Sequence, residues 1–235
     1  MAPIEGSGLP IRSADYACAM TKVVLIRHGR STANAAGVLA GRAAVALDEF
    51  GRAQAEALRE ALSGVQVAAA YTSPIERCRE TAALAGFPDA EVADGLSECD
   101  YGDWTGLKLD ELMKEQVWTD IQARPTEVSF PGGETMTGMF DRVSAAIDEL
   151  TGRHADDETI VAFSHGDPIK GILAHAFGMR RDDFQRIHVA PAGISAIDYR
   201  QPHPMVLCVN VGGALAAHLG VARGPVVGGG DVGRQ

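Results

Sequence analysis

The chain has 235 residues, 46% hydrophobic and 22% charged, with a formal net charge of -10 and a pI near 5.1. That length suits one large α/β domain, and the acidity argues against a general nucleic-acid binder or a surface that clings to anionic lipid. Cys18, Cys78, Cys99 and Cys208 lack Cys-x-x-Cys spacing and are too few for a disulfide framework, and no apolar stretch reaches the roughly 20 residues of a membrane span, so a cytoplasmic chain with reduced thiols is expected.

Residues 1–20 mix charged, Pro and Gly positions without an apolar signal core, and are expected to form a poorly ordered extension. Met20, just ahead of the first strand, makes residues 1–19 read as dispensable. Val23-Val24-Leu25-Ile26 then predicts a buried strand over 22–27, ending in Arg27-His28-Gly29, where the glycine frees the backbone to turn. Arg27 can hold two phosphate oxygens in its planar fork, and a neutral His28 imidazole can attack phosphorus and carry the phosphoryl group covalently. Ser31 and Thr32 either touch phosphate or begin a short helix. Between 50 and 63, Ala53, Ala57, Leu58, Ala61 and Leu62 recur at helical spacing.

A second strand is expected over 67–72, followed by Ser73-Pro74-Ile75-Glu76 as a helix start with Ser73 at the cap and Pro74 first in the helix. Arg77 then falls in the first turn, where the helix dipole already favours an anion. Cys78 beside it lacks a Cys-x5-Arg loop and reads as packed. Residues 134–150 form a helix with Met136, Met139, Phe140, Val143, Ala146, Ile147 and Leu150 as its stripe. The strand over 159–164 delivers Ser164-His165-Gly166, and Asp167-Pro168 reads as the cap of a helix over 168–177. Asp167 is also a rival proton donor, two residues past His165. Strands over 194–199 and 205–210 complete the set; the last is apolar enough to be an edge open to pairing, which leaves a homodimer as one option. The Gly-rich segment 213–235 is expected to be a flexible tail.

This alternation implies an α/β three-layer sandwich with a mainly parallel central sheet and helices on both faces, forming a single domain over 21–212. In such a sheet ligands bind outside the carboxyl ends of the strands, so His28 and His165, each followed by glycine at a strand's end, converge on one edge.

At this point the chain resembles the histidine phosphatase, or phosphoglycerate mutase-like, superfamily. Arg-His-Gly-Arg-Ser-Thr-Ala-Asn at 27–34 is similar to its Arg-His-Gly-x-[Ser/Thr]-x-x-Asn signature. Ser73-Pro74 with Arg77 and Thr81-Ala82, the run from Leu96 to Gly106, Pro131-Gly132-Gly133-Glu134, and Ser164-His165-Gly166 resemble its later elements, in family order. The resemblance implies a phosphoglycerate mutase-like fold and a metal-independent phosphoryl-transfer enzyme. It makes His28 the nucleophile, Arg27, Arg77 and His165 the phosphoryl clamp, Asn34 a further donor, and Glu98 the group that protonates the leaving oxygen. Ser31 and Tyr101 join the substrate-binding set. Glu98 needs its pKa raised well above about 4.3 to act near neutrality; burial beside Tyr101 and Trp104 would raise it and the arginines would lower it. A solvated loop carboxylate is the plainer alternative for that residue.

No metal-ligand spacing, Gly-x-Ser-x-Gly or Walker A pattern appears, so no metal or cofactor is expected. The family holds both hydrolases and mutases. Between Tyr101 and Gly133, Lys108, Lys114 and Arg124 face Asp103, Asp110, Glu111, Glu115, Asp120 and Glu127, and the insertion with adjacent arginines that marks cofactor-dependent mutases is lacking. A net acidic insert favours hydrolysis of small phosphorylated metabolites over mutase activity; a non-enzymatic phospholigand sensor is a third reading that no residue favours.

Overall fold

A computed structural model describes residues 21–155, 157–200, 203–213, 215 and 219. The expected N-terminal extension lies outside the described residues, as does nearly all of the expected tail. In chain order the elements are β1 (Lys22–Arg27), α1 (Thr32–Ala36), α2 (Glu49–Ala61), β2 (Ala69–Thr72), α3 (Glu76–Leu84), β3 (Glu91–Val92), α4 (Leu109–Leu112), α5 (Gln116–Ala123), α6 (Met136–Gly152), β4 (Thr159–Ser164), α7 (Gly166–Ala176), β5 (Ile194–Asp198) and β6 (Met205–Val211).

The sheet has the order β3-β2-β4-β1-β5-β6. β3, β2, β4 and β1 are parallel to one another, while β5 runs antiparallel to β1, and β6 to β5. The reversal follows from the chain path. After α7 the segment through Val189 to Ala192 climbs back to the carboxyl edge, where the Val189 carbonyl takes a bond from Arg27 and the Ala192 amide donates to the carbonyls of Arg27 and His28. β5 therefore enters the sheet from the opposite end.

Strand side chains alternate between faces. Val23 and Leu25 of β1, with Ile160 and Ala162 of β4, join the core beneath α6 and α7; Val24 and Ile26, with Val161 and Phe163, join the core beneath α2 and α3. All seven residues expected in the α6 stripe are buried. In the α2 segment Leu58, Ala61 and Leu62 are buried as expected, together with Gly51 and Ala55, whereas Ala53 and Ala57 face solvent. Alanines scattered around a helix give its phase little definition. Leu215 and Leu219, assigned to the flexible tail, are buried against the α2 side of the sheet, and the Leu215 amide donates to the Ala61 carbonyl.

Gly29 serves a different purpose from the turn expected of it. A Cβ there would lie 2.4 Å from the Gly51 carbonyl oxygen, and one on Gly51 would lie 1.9 Å from that of Arg30. The two glycines let the segment after β1 touch the start of α2 backbone to backbone, which fixes where the chain leaves the strand.

Candidate active site

Register places the site. Arg27 pairs with Ser164 across β1 and β4, and the His28 amide donates to the Ser164 carbonyl at 3.0 Å, so the two histidines leave adjacent central strands together. Their rings meet edge to face with centroids 5.2 Å apart. His28 Nδ1 lies 2.7 Å from the Gly29 carbonyl, which can only accept. The proton therefore sits on Nδ1 and the lone pair on Nε2, which takes a bond from Arg77 Nε at 3.1 Å. Burial, followed by the charges of Arg77 and Arg27, holds the His28 pKa well below 6.5, so the ring is neutral at physiological pH.

Arg77, buried in the first turn of α3, donates through Nη2 to the Gly41 carbonyl at 2.7 Å and to His165 Nδ1 at 3.1 Å. A guanidinium only donates, so His165 carries its proton on Nε2, which lies 2.8 Å from Ser73 Oγ. Burial first, then Arg77, lowers the His165 pKa well below 6.5. Ser73 is thus occupied: it accepts from the Ile75 amide, and α3 starts at Glu76 with Ile75 at its cap and no side-chain bond there. The expected Ser73 cap with Pro74 in the first helical position is corrected accordingly. Cys78, packed as expected, donates its thiol to the Ser164 carbonyl and touches the His165 ring.

A cavity of about 350 Å³ opens over this edge. Arg27, His28, Ser31, Asn34, Arg77, Glu98, Tyr101 and Asp167 border it. His165 is fully buried and stands behind Arg77 rather than in the cavity wall. Arg27 gives Nη1 to the Val189 carbonyl, while its buried Nε has no protein partner. Ser31 and Asn34 form a reciprocal cap on α1, with the Asn34 carbonyl oxygen accepting from the Ser31 amide and hydroxyl. Ser31 therefore caps a short helix at the cavity's rim. This cap also leaves Asn34 its amide N–H groups to offer a ligand.

Glu98 is 8% exposed, which overturns the solvated alternative. Burial, then the charge of Asp167, pushes its pKa up to about 7 against the opposing arginines, while its Oε1 accepts the Cys99 amide at 3.0 Å. Two guanidiniums hold the loop that carries it. Arg142 donates to the carbonyls of Gly95 and Ser97, Arg42 donates to that of Glu98, and Glu134 bridges both cations. The motif Pro131-Gly132-Gly133-Glu134 pointed at Glu134; nothing local pointed at Arg42. An open surface hollow of about 960 Å³ beyond this loop borders Arg42, Arg79, Asp94 and Arg142, and no histidine lines it.

Asp167 is not a helix cap. His165 occupies the cap of α7 with extended backbone and makes no side-chain bond there, while Asp167 lies within the first turn. Its Oδ2 accepts from the Tyr101 hydroxyl at 2.8 Å and its Oδ1 from Lys170 at 3.2 Å. Burial, then the charges of Asp167 and Glu98, raises the Tyr101 pKa well above 10, so the phenol keeps its proton. Lys170, Gln185, Gln122 and Trp118 also border the cavity. Of these only Lys170, three residues after Asp167 on one helix face, had a signal in its spacing. Among the described residues no cluster of three or more His, Cys, Asp or Glu is arranged to hold a metal ion, and no helix is long and apolar enough to cross a membrane.

Comparison with known proteins identifies the family and agrees with the fold. The profile of the histidine phosphatase superfamily (branch 1) matches residues 23–212. Phosphoserine phosphatase 1 of Hydrogenobacter thermophilus is 29% identical over 209 residues, covering 86% of this chain and 95% of that protein. Phosphoglycerate mutase-like protein 4 of Arabidopsis thaliana is 30% identical, covering 74% of this chain and 76% of its own length. The crystal structure of the alpha-ribazole phosphatase from Shigella flexneri superposes with a TM-score of 0.72 at 26% identity, covering 82% of this chain and 98% of that one. With its two histidines on adjacent strands of a phosphoglycerate mutase-like sheet, this chain belongs to the histidine phosphatase superfamily.

Proposed function

We propose that the protein is a phosphomonoester hydrolase for small phosphorylated metabolites, working through a phosphohistidine at His28 with Glu98 as proton donor. The observation that carries this reading is the tautomer of His28: its Nδ1 proton is tied to the Gly29 carbonyl, so the Nε2 lone pair faces Arg77 beside the cavity. Neutral His28 needs no base to become a nucleophile.

In the first step His28 Nε2 attacks phosphorus, the bond to the ester oxygen breaks, and that oxygen takes the Glu98 proton. In the second, water attacks phosphorus, its proton returns to the Glu98 carboxylate, and the N–P bond breaks to release inorganic phosphate and neutral imidazole. Arg27, through its unpartnered Nε, and Arg77 balance the charge spread over the phosphoryl oxygens. His165 acts through Arg77, whose Nη2 it accepts, and Asn34 offers its amide at the rim. A carboxyl near 7 serves both steps, as acid and then as base.

Hydrolysis is favoured over transfer between two hydroxyls because none of the acidic insert's cations, Lys108, Lys114 and Arg124, borders the cavity to hold a bisphosphorylated intermediate. Purified protein treated with chelator should release phosphate from p-nitrophenyl phosphate, and His28→Ala should not. Interconversion of phosphoglycerates without phosphate release would establish a mutase instead. Ligand binding without turnover of either kind would establish a sensor.

A further inference from the structure

The far end of the cavity, away from His28, carries a charge pattern the phosphoryl chemistry does not use. We propose that Asp167 is the specificity-determining residue of this site: it rejects esters whose alcohol bears a second anion, leaving the apolar wall to select monophosphates of uncharged, apolar-faced alcohols. The inference rests on the phosphomonoesterase reading and names its substrate class.

Three observations support it. The charged side chains bordering the cavity are Arg27, Arg77, Glu98, Asp167 and Lys170. The two arginines together match a phosphate dianion, so only Lys170 could receive another anion. Two of its three donors are engaged, at 3.2 Å from Asp167 Oδ1 and 2.9 Å from Gln185 Oε1, and Asp167 balances its charge. The Tyr101 hydroxyl, the other strong donor at that end, is spent on Asp167 Oδ2 at 2.8 Å. A second carboxylate or phosphate would meet Asp167, whose charge Lys170 only balances, and would find no net positive charge there to receive it.

The position of Asp167 strengthens the effect. It lies in the first turn of α7, whose free amides would otherwise attract an anion. The protein supplies its own carboxylate there. The remaining wall is apolar: Leu39, Trp104, Leu109, Trp118, Ile121 and Phe130 border the same cavity. Such a surface matches the face of a planar or aliphatic group, with Gln122 and Gln185 for neutral polar substituents.

The test compares kcat/KM for three primary alkyl esters of similar leaving-group chemistry: 2-phenylethyl phosphate, the phosphate ester of 3-hydroxypropanoate and 3-phosphoglycerate. Wild type should prefer the phenylethyl ester by about tenfold or more, the order expected for one like-charge encounter in a partly desolvated site. Asp167→Asn should shrink that ratio by about tenfold, and Trp118→Ala should shrink it by lowering the phenylethyl rate alone. Ratios at one pH cancel any effect of Asp167 on Glu98. A wild-type preference for the carboxylate-bearing esters, or a ratio unmoved by Asp167→Asn, would overturn the assignment. If no ester is turned over, the hydrolase reading fails by itself, and dissociation constants of the same esters by calorimetry decide the selectivity on the same ratios.

Discussion

At the scale of single residues, the site depends on two neutral groups made so by burial. In the proposed mechanism His28 must be uncharged to attack and Glu98 uncharged to donate, and the same desolvation lowers one pKa and raises the other. The kinetic signs follow. With alkyl phosphomonoesters kcat/KM should fall as pH rises through about 7, where Glu98 loses its proton. Asp167 contributes by like-charge repulsion, so Asp167→Asn should move that fall to lower pH. Glu98→Gln should remove it altogether while lowering kcat by about 10²- to 10⁴-fold. A pH–rate series on the three proteins checks all of this. An alkaline limb that persists unchanged in Glu98→Gln would assign the acid elsewhere.

At the scale of elements, what was legible in the sequence was what is locally encoded. β1, β4 and α6 announce themselves by uninterrupted or periodic apolar residues, and the histidines could be placed because each sits one residue past such a strand. Features decided by contacts between distant segments were not legible. Gly29 and Gly51 meet because α2 lies against the exit from β1. Ser73 gives up a helix cap to hold His165, and Asp167 faces the cavity because His165 occupies the end of α7. The cavity wall was equally hidden, since α4 and α5, of four and eight residues, are too short to show a period. The glycine contact gives a direct test: Gly51→Ala should destabilise the fold by about 1–3 kcal/mol or more through overpacking, whereas Ala57→Lys on the exposed side of α2 should stay within about 0.5 kcal/mol. Urea denaturation compares them, and a neutral Gly51→Ala would mean the two backbones have room to part.

At the scale of the whole molecule, an acidic chain gathers its useful cations at one sheet edge. The parallel strands β2, β4 and β1 aim their carboxyl ends at the same place, and the antiparallel β5 begins there after the segment that supplies the Val189 carbonyl to Arg27. The sheet thus brings Arg27, His28, Arg77 and His165 together from segments remote in sequence. The loop bearing Glu98 is pinned against them by Arg42, Arg142 and Glu134. In the proposed mechanism this edge makes His28 a transient carrier of phosphate. This is tested most directly by mixing Glu98→Gln with p-nitrophenyl phosphate, whose leaving group needs little acid, and quenching within the first turnover. A phosphohistidine mechanism gives a burst approaching one equivalent of p-nitrophenol and a phosphoenzyme that is stable to alkali, labile to acid and located on His28. Steady release of p-nitrophenol with no burst, and no phosphate on His28 at any time, would contradict it.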